Sequence, residues 1–235
     1  TLLIEKNASL GGTTTNGAVN FPGLFHAWCK QIISGIGWNV VKETVELCGD
    51  KLPDFSVIPK AHHHQQVRVN IPIYISMIDE ACMHSGVHLL FHTMVAAIDE
   101  DNKSNLKKLT LCTKNGLQDI HTKVVVDCTG YANVAALAGC ELLSSENKQP
   151  GTYSCMMSGY ELSKCDLDLI NSNFTNWVKA GEAKFIDVSW QAERANVSGW
   201  LHNKGMNANH IPYIDAFSSF GKSKAEIEGR ASILR

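Results

Sequence analysis

No run in this chain is both apolar and long enough to cross a bilayer, which removes a membrane-spanning helix from consideration. An excess of charge is missing too. The formal net charge is −2, so there is no broad basic field to hold nucleic acid or an anionic membrane surface. The eight cysteines, at 29, 48, 82, 112, 128, 140, 155 and 165, include no CxxC pair. Most stand in apolar runs where a thiol packs as a small hydrophobe, and they read as reduced thiols of a cytoplasmic protein. Four N-x-S/T sequons begin at Asn7, Asn102, Asn173 and Asn196, but no secretory signal accompanies them and they read as chance matches. Internal repeats and low-complexity tracts are lacking as well.

What is present is an ordinary globular composition. At 235 residues and 44% hydrophobic, the chain can bury a sizeable core as one large domain or two smaller ones. It opens "TLLIEKNASLGGTTTNG". Thr1 to Ile4 have the β-branched, apolar character of a buried strand, and Glu5 closes the run where a parallel strand reaches the edge of its sheet, the place where open α/β sheets bind ligands. Gly11 to Pro22 reads as an ordered loop. A helix is expected over Ile36 to Cys48, with Ile36, Val40, Val41, Val45 and Cys48 on one face, and another over Pro72 to His84, with Ile73, Met77, Ile78, Ala81 and Cys82 inward.

Strands follow. "VHLLFHTMVAAIDED" reads as one extended run, "LKKLTLCT" as the next and "DIHTKVVVD" as a third, with Asn115-Gly116 as a type I′ turn between the last two. Val124 to Cys128 then runs as a strand into a Thr-Gly turn and an Ala-rich helix, for which Asn133 is a suitable N-cap. The character changes near Pro150: "TYSCMMSGYEL" reads as a strand, "DLDLINSNFTNWVKAGE" as a helix and "SKAEIEGRASILR" as another. Three adjacent histidines, His62 to His64, cannot all point to one ion without a distorted backbone, so they read as a solvated loop and no metal site is expected.

Taken together, "TLLIEKNASLGGTTTNGAVN", "HLLFHTMVAAI" and "KVVVDCTGYANVAALAG" resemble the FAD-dependent oxidoreductases of the glutathione-reductase-like Rossmann superfamily. The resemblance implies an α/β fold: a partial Rossmann-like FAD-binding domain with a β-meander at residues 1–150, carrying a helical excursion at about 22–85, and a second, partial α+β substrate domain at 151–235. FAD is the implied cofactor. Glu5, beside Lys6, matches the strand-end acid that accepts hydrogen bonds from the adenosine ribose. Gly11, Gly12, Thr13 and Thr14 match the loop beside the pyrophosphate and isoalloxazine, Val95 the position that holds adenine by main-chain contacts, and Thr129-Gly130 a turn near the adenosine end. The G-x-G-x-x-G turn that precedes the acid in such proteins is not in the sequence, nor is an initiator Met, so the chain is expected to be the central part of a longer protein.

The implied activity is hydride or electron transfer through the flavin to or from a small organic substrate. No catalytic residue is singled out, because a flavin performs the electron chemistry itself. Trp190, Arg194, Trp200, His202, His210 and Tyr213 supply the aromatic and hydrogen-bonding surface from which substrate contacts would come. Two other readings stand beside this one: an NAD-linked dehydrogenase, and a non-catalytic nucleotide-binding or scaffold module of the same fold. Nucleic acid and membrane are not expected partners, and self-association into a homo-oligomer stays open.

Overall fold

Apolar spacing in the chain resolves into the elements of a mixed α/β protein. The computed structural model describes residues 1–60, 62–101, 106–145, 149–187, 197–202, 204–212 and 214–234. It divides into two compact units, Thr1–Leu142 and Leu143–Arg235.

In the first unit, β1 (Leu2–Ile4) is followed by the short hairpin strands β2 (His26–Ala27) and β3 (Lys30–Gln31), then α1 (Ile36–Leu47), α2 (Ile71–His84) and β4 (His88–Leu90). β1 and β4 pair in parallel, Leu2 opposite His88 and Ile4 opposite Leu90. The long connection between them carries the unit's main core. Val40, Val41 and Val45 of α1 pack with Phe25, Trp38, Val67, Val69 and Tyr74. Thr44, fully enclosed in the same helix, satisfies its hydroxyl by donating to the Val40 carbonyl at 2.7 Å, which is how a polar residue sits in a core without an orphaned group. Ile36 does not join this face: as the first residue of the helix it is 79% exposed. Asn70 caps α2 by accepting from the Ile73 amide, the role its side chain favours.

β5 (Met94–Asp101), β6 (Leu106–Thr113) and β7 (Gly116–Thr122) form the antiparallel meander. Leu109 and Leu111 of β6 are buried, the alternation that puts every second residue on one face. Three sequence expectations fail in this region. The single run expected over 87–101 is two strands, because His92, at φ +53°, turns the chain between β4 and β5. The hairpin turn is one residue earlier than Asn115-Gly116: Thr113 pairs with Gly116, so Lys114 and Asn115 form the loop. Neither has positive φ, Gly116 does at +99°, and the Thr113 hydroxyl accepts the Asn115 amide. This is the pattern of a type I turn followed by a glycine bulge, not a type I′ turn. Finally, Val124 to Cys128 is not a strand; Val124 is 73% and Val126 78% exposed, since among the described residues no strand is hydrogen-bonded to that segment and β-structure exists only by pairing.

The second unit contains β8 (Gly151–Met156), α4 (Leu167–Ala180), α5 (Val197–His202), β9 (Gly205–Ile211) and α6 (Ser219–Leu234), the last three-turn-plus helix lying on the antiparallel β8–β9 pair. Asp166 caps α4 by accepting from the Leu169 amide, and Gly181 ends it in the left-handed conformation. Close approach of α6 to the sheet depends on Gly229. A Cβ there would lie 2.6 Å from Ile211 Cδ1 and 2.9 Å from Tyr153 Cβ, and Tyr153 Cβ cannot swing away. Gly229→Ala is expected to destabilise this unit by about 1–3 kcal/mol through overpacking, outweighing the gain of up to about 1 kcal/mol in helix propensity. Urea unfolding followed by circular dichroism checks this; an unchanged midpoint would show that the sheet yields.

None of the eight thiols is disulfide-bonded. They are not fully buried core residues, however: Cys112, Cys128 and Cys140 are exposed and the others half-buried. Among the described residues no helix is long and apolar enough to cross a membrane.

Candidate cofactor site

The site begins where β1 ends. Glu5 extends the parallel pairing by one bond, its amide donating to the Leu90 carbonyl at 2.9 Å, and its own carbonyl accepts the Thr93 amide at 3.1 Å. Its side chain is held as well. Oε1 accepts the Asn7 amide at 2.7 Å and Asn7 Nδ2 at 2.8 Å, so one carboxylate oxygen is tied to the chain and the group is oriented in advance. Lys6, adjacent, is exposed. Asn7 is the residue that sequence reading passed over; an Asx-type partner two positions after an acid is its only signal.

Residues 11–17 fold as consecutive turns. Gly12 accepts from the amides of Asn16 and Gly17, and Gly11 from that of Thr14. Beneath them Thr15 is buried and its hydroxyl donates to the Leu10 carbonyl. Thr14 is buried too, while Gly11, Gly12 and Thr13 form the exposed surface. The amides of Gly11, Gly12 and Thr13 donate to no protein atom among the described residues. Three successive N–H groups of exposed residues with no acceptor of their own are a donor set that suits an anion. Gly11 has φ +94°, and a Cβ on it would meet Thr15 Cγ2 at 2.6 Å. This cradle exists because position 11 has no side chain.

Val95 lies two residues beyond Thr93, half-buried in β5 and paired with Leu111. The β4–β5 connection therefore brings Glu5 and Val95 to one end of the parallel pair. Thr129 and Gly130 are exposed on the turn before α3 (Asn133–Leu137), which packs on β5. No hydrogen bond joins that turn to Glu5 among the described residues.

What organises the Thr-Gly turn is Asp127, a residue that sequence reading left as part of a strand. Oδ1 accepts the amide and hydroxyl of Thr129 at 2.8 and 2.7 Å, and Oδ2 accepts the amides of Val134 and Ala135, both at 2.9 Å. Asn133 is thus not the cap. Ala132 occupies that position in the left-handed conformation, and the Asn133 amide donates to the Thr129 hydroxyl. Burial pushes the Asp127 carboxyl up, but the bonds from Thr129, Ala135 and Val134 outweigh it and hold the pKa below the ordinary carboxylate value. A depressed folded-state pKa contributes stability above the unfolded value, lost as pH falls through the folded one. Asp127→Asn sets an amide N–H₂ against two backbone donors and is expected to cost about 1–2 kcal/mol at pH 7, the range for a lost helix cap. The gap from wild type should begin to narrow as pH falls below about 4 and close once pH is under the depressed folded-state value. Thermal melts at pH 7 and pH 3 check both statements.

The whole chain, residues 1–235, matches the family described as FAD dependent oxidoreductase. The chain belongs to that family. Among solved structures it is similar to CabE, an aromatic hydroxylase from angucycline biosynthesis, at 18% identity and a TM-score of 0.37, over 59% of this chain. The chain spans 28% of the hydroxylase's length. No curated protein matches.

For a member of the FAD dependent oxidoreductase family, the residues at the end of β1 suit the dinucleotide. The Glu5 carboxylate can accept from hydroxyls, the Gly11–Thr13 amides can donate to phosphate oxygens or ring carbonyls, and the missing Cβ at Gly11 lets a flat group come close. Trp190, Arg194 and Tyr213, named from sequence as substrate surface, lie outside the described residues, as do the sequons' Asn102 and Asn196. Trp200 and His202 belong to α5, and His210 to β9.

Proposed function

We propose that this chain forms part of an FAD-dependent oxidoreductase of a small organic substrate, with residues 1–142 holding the cofactor and residues 143–235 facing the substrate. The observation that carries this reading is the pairing of a pre-oriented carboxylate at the end of a parallel strand with three amides of exposed residues, without an acceptor among the described residues, on the following glycine turn. A carboxylate accepts hydrogen bonds from a ribose diol and backbone amides donate to phosphate oxygens, and a dinucleotide presents both groups.

In this reading Glu5 binds the ribose, with Lys6 beside it. The Gly11–Thr14 turn lies against the pyrophosphate and isoalloxazine, Val95 supports adenine through its main chain, and Thr129-Gly130 closes the adenosine end. FAD, when bound, supplies acceptance and donation of an electron pair. The chain's task is to bind it, aim it and keep water from it. The antiparallel meander favours a flavoprotein over a dehydrogenase of the plain βαβα kind. Eight unpaired thiols fit a reducing, cytoplasmic setting.

Absorbance tests the proposal. The full-length protein is expected to purify yellow, with a flavin spectrum that bleaches on reduction by dithionite. Protein that is colourless and stays so after incubation with FAD would point to a non-catalytic module of the same fold.

A further inference from the structure

Helix α4 has the strongest division between an apolar and a polar face, yet none of its residues is buried. Its apolar stripe, Ile170, Phe174 and Trp177 at i, i+4 and i+7, instead lines a cavity of about 1120 Å³ within residues 143–235. A stripe with that spacing normally meets a protein core. Trp200 of α5 and Ile211 of β9 line the other walls. The size and the mostly apolar walls are those of a small-molecule site.

Charge at this cavity narrows what it takes. Among the described residues three carboxylates line it, Glu182, Asp187 and Glu228, against one lysine, Lys184. Asp187 Oδ2 accepts the backbone amide of Lys184 at 2.8 Å, an uncharged donor that leaves the carboxylate's charge in place. Glu228 is 3.8 Å from Lys224, with both side chains more than half exposed, a geometry in which an ion pair is largely screened. His210, also in the lining, has its pKa pushed down by burial, so it adds no positive charge at neutral pH. Aromatic faces and a surplus of carboxylates attract the same class of guest, an ammonium ion on an apolar body.

We propose that this cavity binds an apolar organic cation, an ammonium carried on an aryl or branched alkyl group. Calling that cation the substrate rests on the function proposed above; the binding itself does not.

The test titrates three probes with the same phenylethyl body into the full chain at pH 7, followed by tryptophan fluorescence and calorimetry: 2-phenylethylammonium, neutral 2-phenylethanol and anionic 3-phenylpropionate. The ammonium should bind saturably and at least tenfold more tightly than the carboxylate. Glu228→Gln, on the exposed side of a helix, should weaken the ammonium about three- to tenfold and leave the alcohol unchanged. Absence of saturable binding by the ammonium, equal binding of the carboxylate, or an unchanged ammonium affinity in Glu228→Gln would each overturn the proposal. A parallel FAD titration separates the two readings. Lost FAD binding with retained ammonium binding overturns the flavin assignment alone, and the reverse overturns only this site.

Discussion

Glu5→Gln is expected to weaken FAD binding roughly ten- to a hundredfold without unfolding the protein. The wild-type carboxylate divides its work: Oε1 accepts both nitrogens of Asn7, and no protein donor reaches Oε2 among the described residues. A glutamine can keep the Asn7 bonds only by placing its carbonyl oxygen there, which turns its N–H₂ toward the space where, in the proposed function, a ribose hydroxyl would donate. If it flips, the amide faces the two Asn7 donors instead. Either arrangement mispairs one polar group and removes the charge, a loss of about 1–3 kcal/mol, or one to two factors of ten in affinity. The flavin that does bind should keep its spectrum, because the ribose is remote from the isoalloxazine. Side-by-side FAD titrations of the full-length protein and the variant decide the matter; equal affinities would leave Glu5 as a strand-end acid engaged only with Asn7.

The second large effect is at Gly11. With φ at +94° and a would-be Cβ 2.6 Å from Thr15 Cγ2 and 3.1 Å from Thr15 Oγ1, Gly11→Ala meets two penalties. The backbone conformation costs an L-residue about 1–2 kcal/mol. Displacing buried Thr15, and with it the bond to the Leu10 carbonyl, adds about 1–3 kcal/mol. Loss of roughly 2–5 kcal/mol in stability and of most FAD affinity is therefore expected. Gly12→Ala is the matched control. Position 12 also has positive φ, at +44°, but nothing lies within 4 Å of its Cβ, so only the backbone cost remains. Chemical unfolding of the two variants should separate them clearly; equal losses would mean that the Thr15 contact is slack.

Much of this architecture was legible in the sequence, and what was legible shares a physical cause. Helices α1, α2, α4 and α6 close their hydrogen bonds within themselves, so local sequence is enough to announce them, most clearly through the 3.6-residue apolar rhythm of α1 and α2. The meander could be read because its strands are joined by short turns and pair with neighbours in sequence. The strand end at Glu5 and the ordered turn after Gly11 were readable too as local structure, since an acid after an apolar run and a glycine pair are local signals.

Tertiary structure decided the rest. Val124-Val125-Val126 is as strand-like as any tripeptide in the chain, yet a strand needs a partner, and nothing in the tripeptide says whether one is alongside. The break at His92 follows from the β1–β4 pairing, where the Glu5 main chain takes bonds from both sides of the bend. Asp127 became a helix cap seven and eight residues away because the Thr129 turn folds back on it, a closure that depends on where the chain goes next. The apolar face of α4 was plain from its spacing, but whether it would meet a core or a cavity was not. Periodicity says which face is apolar; only the packing of distant elements says what that face touches.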